Sequence, residues 1–201
     1  MICVRELSID EKRYIQSIAM LHKRAFPSFF LTQLGLPFLC TLYNGYLEDC
    51  NSGIIIAEEN KSIKGFIAYS NEYSLFYKGL IKKHLLKFAI CSVGAILRHP
   101  ASIRRLLGAF TKSENVKRKE KYVELASICV DPEYEGRGIG SSLVSYMKAM
   151  VNYDVYAYIN LETDAEFNER ANNFYKENGF SLSSNFVTKE GRTMNEYRYY
   201  N

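Results

Sequence analysis

A mixed α/β fold, with helices packed on a central sheet, is what the sequence predicts, and three observations predict it. The 201 residues are 47% hydrophobic and 14% aromatic, enough apolar side chain to close one core. Two pairs of β-patterned runs, at 53–58 with 64–70 and from 180 onward with 194–200, are separated by polar turns and read as hairpins. A run with few breakers at 122–130 passes through a glycine-rich turn straight into an amphipathic helix, so strands and helices alternate along the chain. No internal repeat or low-complexity tract interrupts the pattern, and one domain over residues 1–201 is expected.

The elements follow in order. Residues 2–7 read as a first strand. Ser8 or Asp10 can then cap a helix whose apolar positions Ile15, Ile18, Ala19, His22, Ala25 and Phe26 keep helical spacing up to Pro27. Residues 28–35 form an apolar, aromatic connection, and Pro37 is placed to start a second helix over 37–47. The strands 53–58 and 64–70 turn at Asn60, Lys61 and Ser62. From 75 to about 111 the pattern is helical, with a break at His99-Pro100. The strand at 122–130 is continuous enough to lie inside the sheet. After the glycine turn, Leu143, Val144, Met147, Met150 and Val151 share one helix face. A strand at 155–162 and a helix at 168–178, stopped by Gly179, precede the final hairpin, which turns at 189–192.

Charge and cysteine usage narrow the function classes. The net charge is +4, yet between Lys78 and Lys121 there are twelve basic residues and two acidic ones, Glu114 and Glu120, so a segment of +10 sits within a remainder of −6. This basic helical segment, 75–120, reads either as a solvated face or as a docking surface for an anion. Without interleaved aromatics it does not read as a nucleic-acid platform. The five cysteines are single and have no metal-ligand spacing with the three histidines, which points to a reducing cytoplasm and no metal. The longest apolar run, 88–97, is about half of a membrane span. It offers a surface for a homodimer. Contact with a membrane surface stays open without being favoured.

The turn Gly136-Arg137-Gly138-Ile139-Gly140-Ser141 carries the chemistry. Glycines let the backbone approach an anion and adopt unusual dihedrals, so successive N–H groups and the positive end of the following helix converge on phosphate. No Lys-Ser or Lys-Thr follows, which excludes a Walker loop, and the glycine spacing misses the dinucleotide fingerprint by one residue.

The same residues resemble the GNAT superfamily of N-acetyltransferases, whose signature is Gln or Arg, two residues, Gly, one residue, then Gly or Ala at a helix start. Glu135-Gly136-Arg137-Gly138-Ile139-Gly140 matches both small positions. Glu135 departs from the first, and a carboxylate facing pyrophosphate is repulsive, so it is expected to point away. At the family's spacing, Asn168-x-x-Ala171-x-x-Phe174-Tyr175-x-x-x-Gly179-Phe180 is similar to the helix closing the other side of the acetyl-CoA cleft. The resemblance covers residues 122–180 and implies a central, mostly antiparallel, twisted sheet flanked by helices.

It also implies roles. Residues 136–141 would cradle the acetyl-CoA pyrophosphate, backbone groups of Ile128, Cys129 and Val130 would extend pairing to the pantetheine arm, and Asn168 would contact the cofactor or simply cap its helix. Tyr175 would give a proton to the departing thiolate, since a phenol stays protonated at neutral pH. Glu124 is the first choice of base and Glu162 the second, both placed where related enzymes carry one. Cys129, in an apolar strand with no nearby histidine, reads as packing rather than a nucleophile. The expected reaction is acetyl transfer to a primary amine of a small molecule, an amino sugar or other anionic metabolite included, because residues 26–35 and 75–111 line the acceptor side with aromatic and basic groups. The alternatives are acetylation of a protein amine, and a CoA-binding module without catalysis.

Overall fold

The computed structural model describes residues 2–98, 120–188 and 191–201. Seven strands form one sheet: β1 (Cys3–Glu6), β2 (Ser52–Glu59), β3 (Ser62–Ser70), β4 (Tyr122–Val130), β5 (Tyr158–Asp164), β6 (Ser181–Val187) and β7 (Thr193–Tyr199), in the order β1-β2-β3-β4-β5-β7-β6. Every pairing is antiparallel except β4 with β5. The mostly antiparallel mixed fold is therefore as expected, and β4 does lie inside the sheet.

Helices cover both faces. On one face lie α1 (Ile15–Ala25), the single turn α2 (Phe30–Gln33), α3 (Leu36–Glu48) and α4 (Tyr73–Arg98); they bury Ile18, Leu39, Tyr43 and Phe88 against Ile54, Ile56, Phe66 and Cys129. On the other lie α5 (Ile139–Met150) and α6 (Glu169–Glu177), packing Leu143, Met147 and Tyr175 on Ile55, Ile67, Leu125 and Leu161. The alternation of β2 decides this division, because Ile54 and Ile56 face one layer while Ile55 faces the other.

Two expected elements shift for local reasons. A 3-10 helix, Ile9–Tyr14, precedes α1, because Glu11 leaves helical dihedrals to bind Arg5 at 2.7 and 2.9 Å and to accept from the Ser8 N–H at 3.1 Å. Strand β5 starts at Tyr158 rather than 155, since the Asn152 carbonyl accepts from the Val155 and Tyr156 amides and its side chain accepts from Asp154, curling that stretch into a turn. The β2–β3 hairpin closes through Asn60 and Lys61, both at positive φ, the primed geometry that matches strand twist. The part of the helical stretch beyond Arg98, and residues 189–190 of the last turn, lie outside the described residues.

The helical face is cemented by aromatics around His22. Its Nδ1 is 2.6 Å from the Tyr43 hydroxyl, and Phe26 and Phe29 pack on its ring. Burial lowers the imidazole from 6.5 to about 4, so it is neutral in the fold at pH 7. As pH falls below 6.5 the unfolded chain takes up a proton that the folded one refuses until about 4, and stability is lost across that window. Urea unfolding should show a His22-dependent loss of about 2 kcal/mol between pH 6.5 and 5, absent in His22→Gln. An identical pH slope in both proteins would refute it.

Candidate active site

The site begins where β4 and β5 part. Their parallel ladder holds only Tyr122 with Tyr158, Val123 with Ile159, and Glu124 with Asn160. Beyond it β4 stays with β3 as far as Val130, while β5 stays with β7 as far as Asp164. The β5-facing edge of β4 through Ile128, Cys129 and Val130 therefore has no ladder partner among the described residues, and its backbone groups can take an extended ligand. Burial pushes the Cys129 thiol up to about 12 and its sulfur lies 3.7 Å from the Leu21 carbonyl, so this side chain is inert packing.

A bulge in β4 sets which side chains face where. Ala68 pairs with Ser127 and Tyr69 with Leu125, leaving Ala126 as the extra residue. Val123 and Leu125 before the bulge, and Ile128 and Val130 after it, all join the α5–α6 layer, whereas Ala126 and Cys129 join the opposite one. Glu124 alternates with its neighbours and so faces the α1–α4 side. Unbroken alternation would have put Glu124, Ile128 and Val130 on one face.

At the far end of the gap, Gly136 and Gly138 take φ of +73° and +75°, in the left-handed region that side chains resist. Gly138 caps α5, so the amides of Ile139, Gly140 and Ser141 open the helix without intrahelical partners. The Ile139 side chain is buried in the core, which leaves only its backbone for a ligand. A Cβ on Gly140 would come within 3.0 Å of the Phe174 ring, so this glycine lets α5 and α6 close together. Lys64 and Arg137 sit 4.1 and 4.7 Å from the Tyr134 ring, and Arg170 of α6 holds Glu135 at 2.7 Å. That exposed pair adds little stability. It occupies the carboxylate that opens the glycine motif, beside Lys64 and Arg137. Lys64 and Arg170 were not singled out from the sequence, since neither lies in the glycine motif.

Helix α6 is tied to β5 and β7 by amides. Asn168 occupies the cap position, yet its side chain caps nothing; its Nδ2 donates to Thr163 Oγ1 at 2.7 Å. Buried Asn172, not anticipated, donates to the Asp164 and Asn168 carbonyls and accepts from Asn195 and the Tyr197 hydroxyl. This positions Tyr175 among Phe174, Phe180 and Tyr197. Burial raises its phenol pKa above the usual 10, so it holds its proton at neutral pH.

On the opposite face a polar cluster surrounds the point where the strands part. Asn160 Nδ2 donates to Glu124 Oε2 at 2.8 Å, both side chains being buried, and the Asn160 Oδ1 has no hydrogen-bond partner among the described residues. Glu162 pairs across the ladder with Glu196, which Arg198 holds at 2.7 Å. Tyr73 and Tyr77, from the first turns of α4, reach the same face. Burial raises both phenols, with each other, Glu124 and, for Tyr73, Glu162 as further neighbours. The structure thus brings Glu124 and Glu162 together on one face and sets Tyr175 on the other. Asn160 was legible only as a polar residue two before Glu162 in an otherwise apolar run.

The sequence profile of the acetyltransferase (GNAT) family matches residues 15–180. The chain belongs to this family of acetyltransferases. Among solved structures, a GNAT-family protein from Desulfovibrio desulfuricans is 14% identical with a TM-score of 0.65, covering 100% of this chain and 99% of its own. The Drosophila melanogaster polyamine N-acetyltransferase, 11% identical with a TM-score of 0.61, covers all of both chains. A Bacillus anthracis protein solved in complex with acetyl coenzyme A is 18% identical with a TM-score of 0.51 over 79% of this chain and 68% of its own. No curated protein sequence matches this chain.

The glycine turn and its cationic rim fit a CoA pyrophosphate. In a titration with acetyl-CoA, Gly140→Val should weaken binding about tenfold or more by driving Phe174 and the α5 terminus apart, while Arg170→Ala should cost only a few-fold and less at high salt. Equal losses for the two variants would contradict this division.

Proposed function

We propose that the chain is an acetyl-CoA-dependent N-acetyltransferase of a small-molecule primary amine, acting as a single domain in the cytoplasm. The observation that carries this reading is the gap between β4 and β5, with the glycine turn at one end and Glu124 at the other. No disulfide links cysteines among the described residues, in keeping with a reducing compartment. Acetyl-CoA supplies the thioester carbonyl that the amine nitrogen attacks.

Glu124 takes the proton of the acceptor ammonium, directly or through a water, while Asn160 fixes the carboxylate that does so. Tyr175 approaches from the other face of the sheet and gives its phenol proton to the departing sulfur as the carbon–nitrogen bond forms and the carbon–sulfur bond breaks; the nitrogen then sheds its second proton to water, and the phenolate regains a proton from water. Base and acid reach one thioester only through the gap. Glu162, two residues further along β5 from Asn160, is the second candidate base. Carboxylates gathered on the acceptor face favour an amine drawn in as its ammonium over the anionic acceptor expected from the basic segment.

Thioester turnover against a panel of amines tests the reading. Tyr175→Phe should lower kcat by about 10²- to 10⁴-fold while acetyl-CoA binding is kept. Glu124→Gln should abolish the acidic limb of the kcat/KM profile, and Glu162→Gln should leave that limb in place. Tight acetyl-CoA binding without turnover of any amine would instead support a CoA-binding module.

A further inference from the structure

We propose that the outward face of α4 is a docking surface for an anionic lipid bilayer. The inward face of this helix is ordinary core: Phe76, Leu80, His84 and Phe88 recur every fourth residue and are buried. The outward face is not the polar surface such a helix usually shows. Leu75, Leu85, Leu86 and Ile90 are 62%, 62%, 75% and 66% exposed, and Leu75, Leu86 and Ile90 fall on one stripe with Lys82 between them. Lys78 flanks the stripe on one side, Lys83 and Lys87 on the other, and all four lysines are exposed. Lys83 is held by Glu48 at 2.8 Å. No acidic residue occurs between Glu72 and Glu114, so the helix carries no charge of the opposite sign.

Exposed aliphatic side chains framed by lysines match the two components of a bilayer surface, acyl chain and anionic headgroup. The other occupants fit less well. A second copy of this helix would gain the leucine contacts but set lysines against lysines with no acid to pair them. A nucleic-acid backbone would satisfy the lysines and leave four large aliphatic groups in water. Among the described residues no helix is long and apolar enough to cross a membrane, so the helix would lie in the interface rather than span it. Nothing in this inference depends on the catalytic reading.

Flotation of the full chain with vesicles tests it. The protein should rise with vesicles of equal parts phosphatidylcholine and phosphatidylglycerol, stay behind with pure phosphatidylcholine, and detach as salt is added. Lys82→Glu with Lys87→Glu, and separately Leu86→Glu with Ile90→Glu, should each cut the bound fraction about tenfold or more. Both pairs alter exposed side chains only, and an unchanged circular dichroism spectrum and thermal midpoint check that the fold is intact. No flotation with anionic vesicles, equal flotation with neutral ones, or binding untouched by both pairs would overturn the proposal. So would a dimer in sedimentation velocity that Leu86→Glu dissociates, which would make this face a contact between copies.

Discussion

The parting of β4 from β5 after three ladder pairs is the constraint on which the site depends. Each strand is held on its outer edge, β4 by β3 and β5 by β7, so neither can lean across to close the gap. An unpaired inner edge is expensive in a protein interior unless something else satisfies it. In this fold an extended ligand can. The last residues of the ladder are a carboxylate and an amide rather than apolar side chains, and burying a carboxylate costs free energy that its partners must offset. Their presence at the fork is better explained by chemistry than by packing.

Two helices and three glycines then place the donor. Close approach at Gly140 brings α5 against α6, and the Glu135–Arg170 pair crosses the same seam on the outside. Asn172 fastens α6 to the end of β5 and to β7, so the phenol of Tyr175 is positioned by amides rather than by any bond of its own. The sheet itself separates the two groups proposed to handle protons, because Tyr175 belongs to one layer and Glu124 faces the other.

How legible this was follows from which atoms act. The donor side works through backbone, and a backbone that needs positive φ or a close approach leaves glycines behind at fixed spacing, so the turn could be read directly from the chain. Strand β4 and helix α6 were likewise legible, since their breakers and caps are local. The proposed acceptor side draws its side chains from α4, β4, β5 and β7, whose proximity is a property of sheet order. Asn160, Tyr73 and Tyr77 carry no local mark of their role, and the cationic partners Lys64 and Arg170 lie on separate elements that meet only in the fold. The turn at 152–157 was missed for a smaller reason, an asparagine whose side chain outcompeted a strand-like pattern.

The bulge at Ala126 links these two halves. Before it, the residues of β4 that face the α5–α6 layer are odd-numbered; after it they are even-numbered. One extra residue therefore lets a single strand present Glu124 to the acceptor face while Ile128 and Val130 still pack beneath the glycine turn. Removing it would restore plain alternation, and either the carboxylate would turn into the α5–α6 core or those two side chains would leave it. Either change gives one layer side chains that its packing does not accommodate. The register of β4 is thus held from both sides, by packing at one end and by the carboxylate at the other, and the opening between β4 and β5 stays aligned with the groups on either face of it.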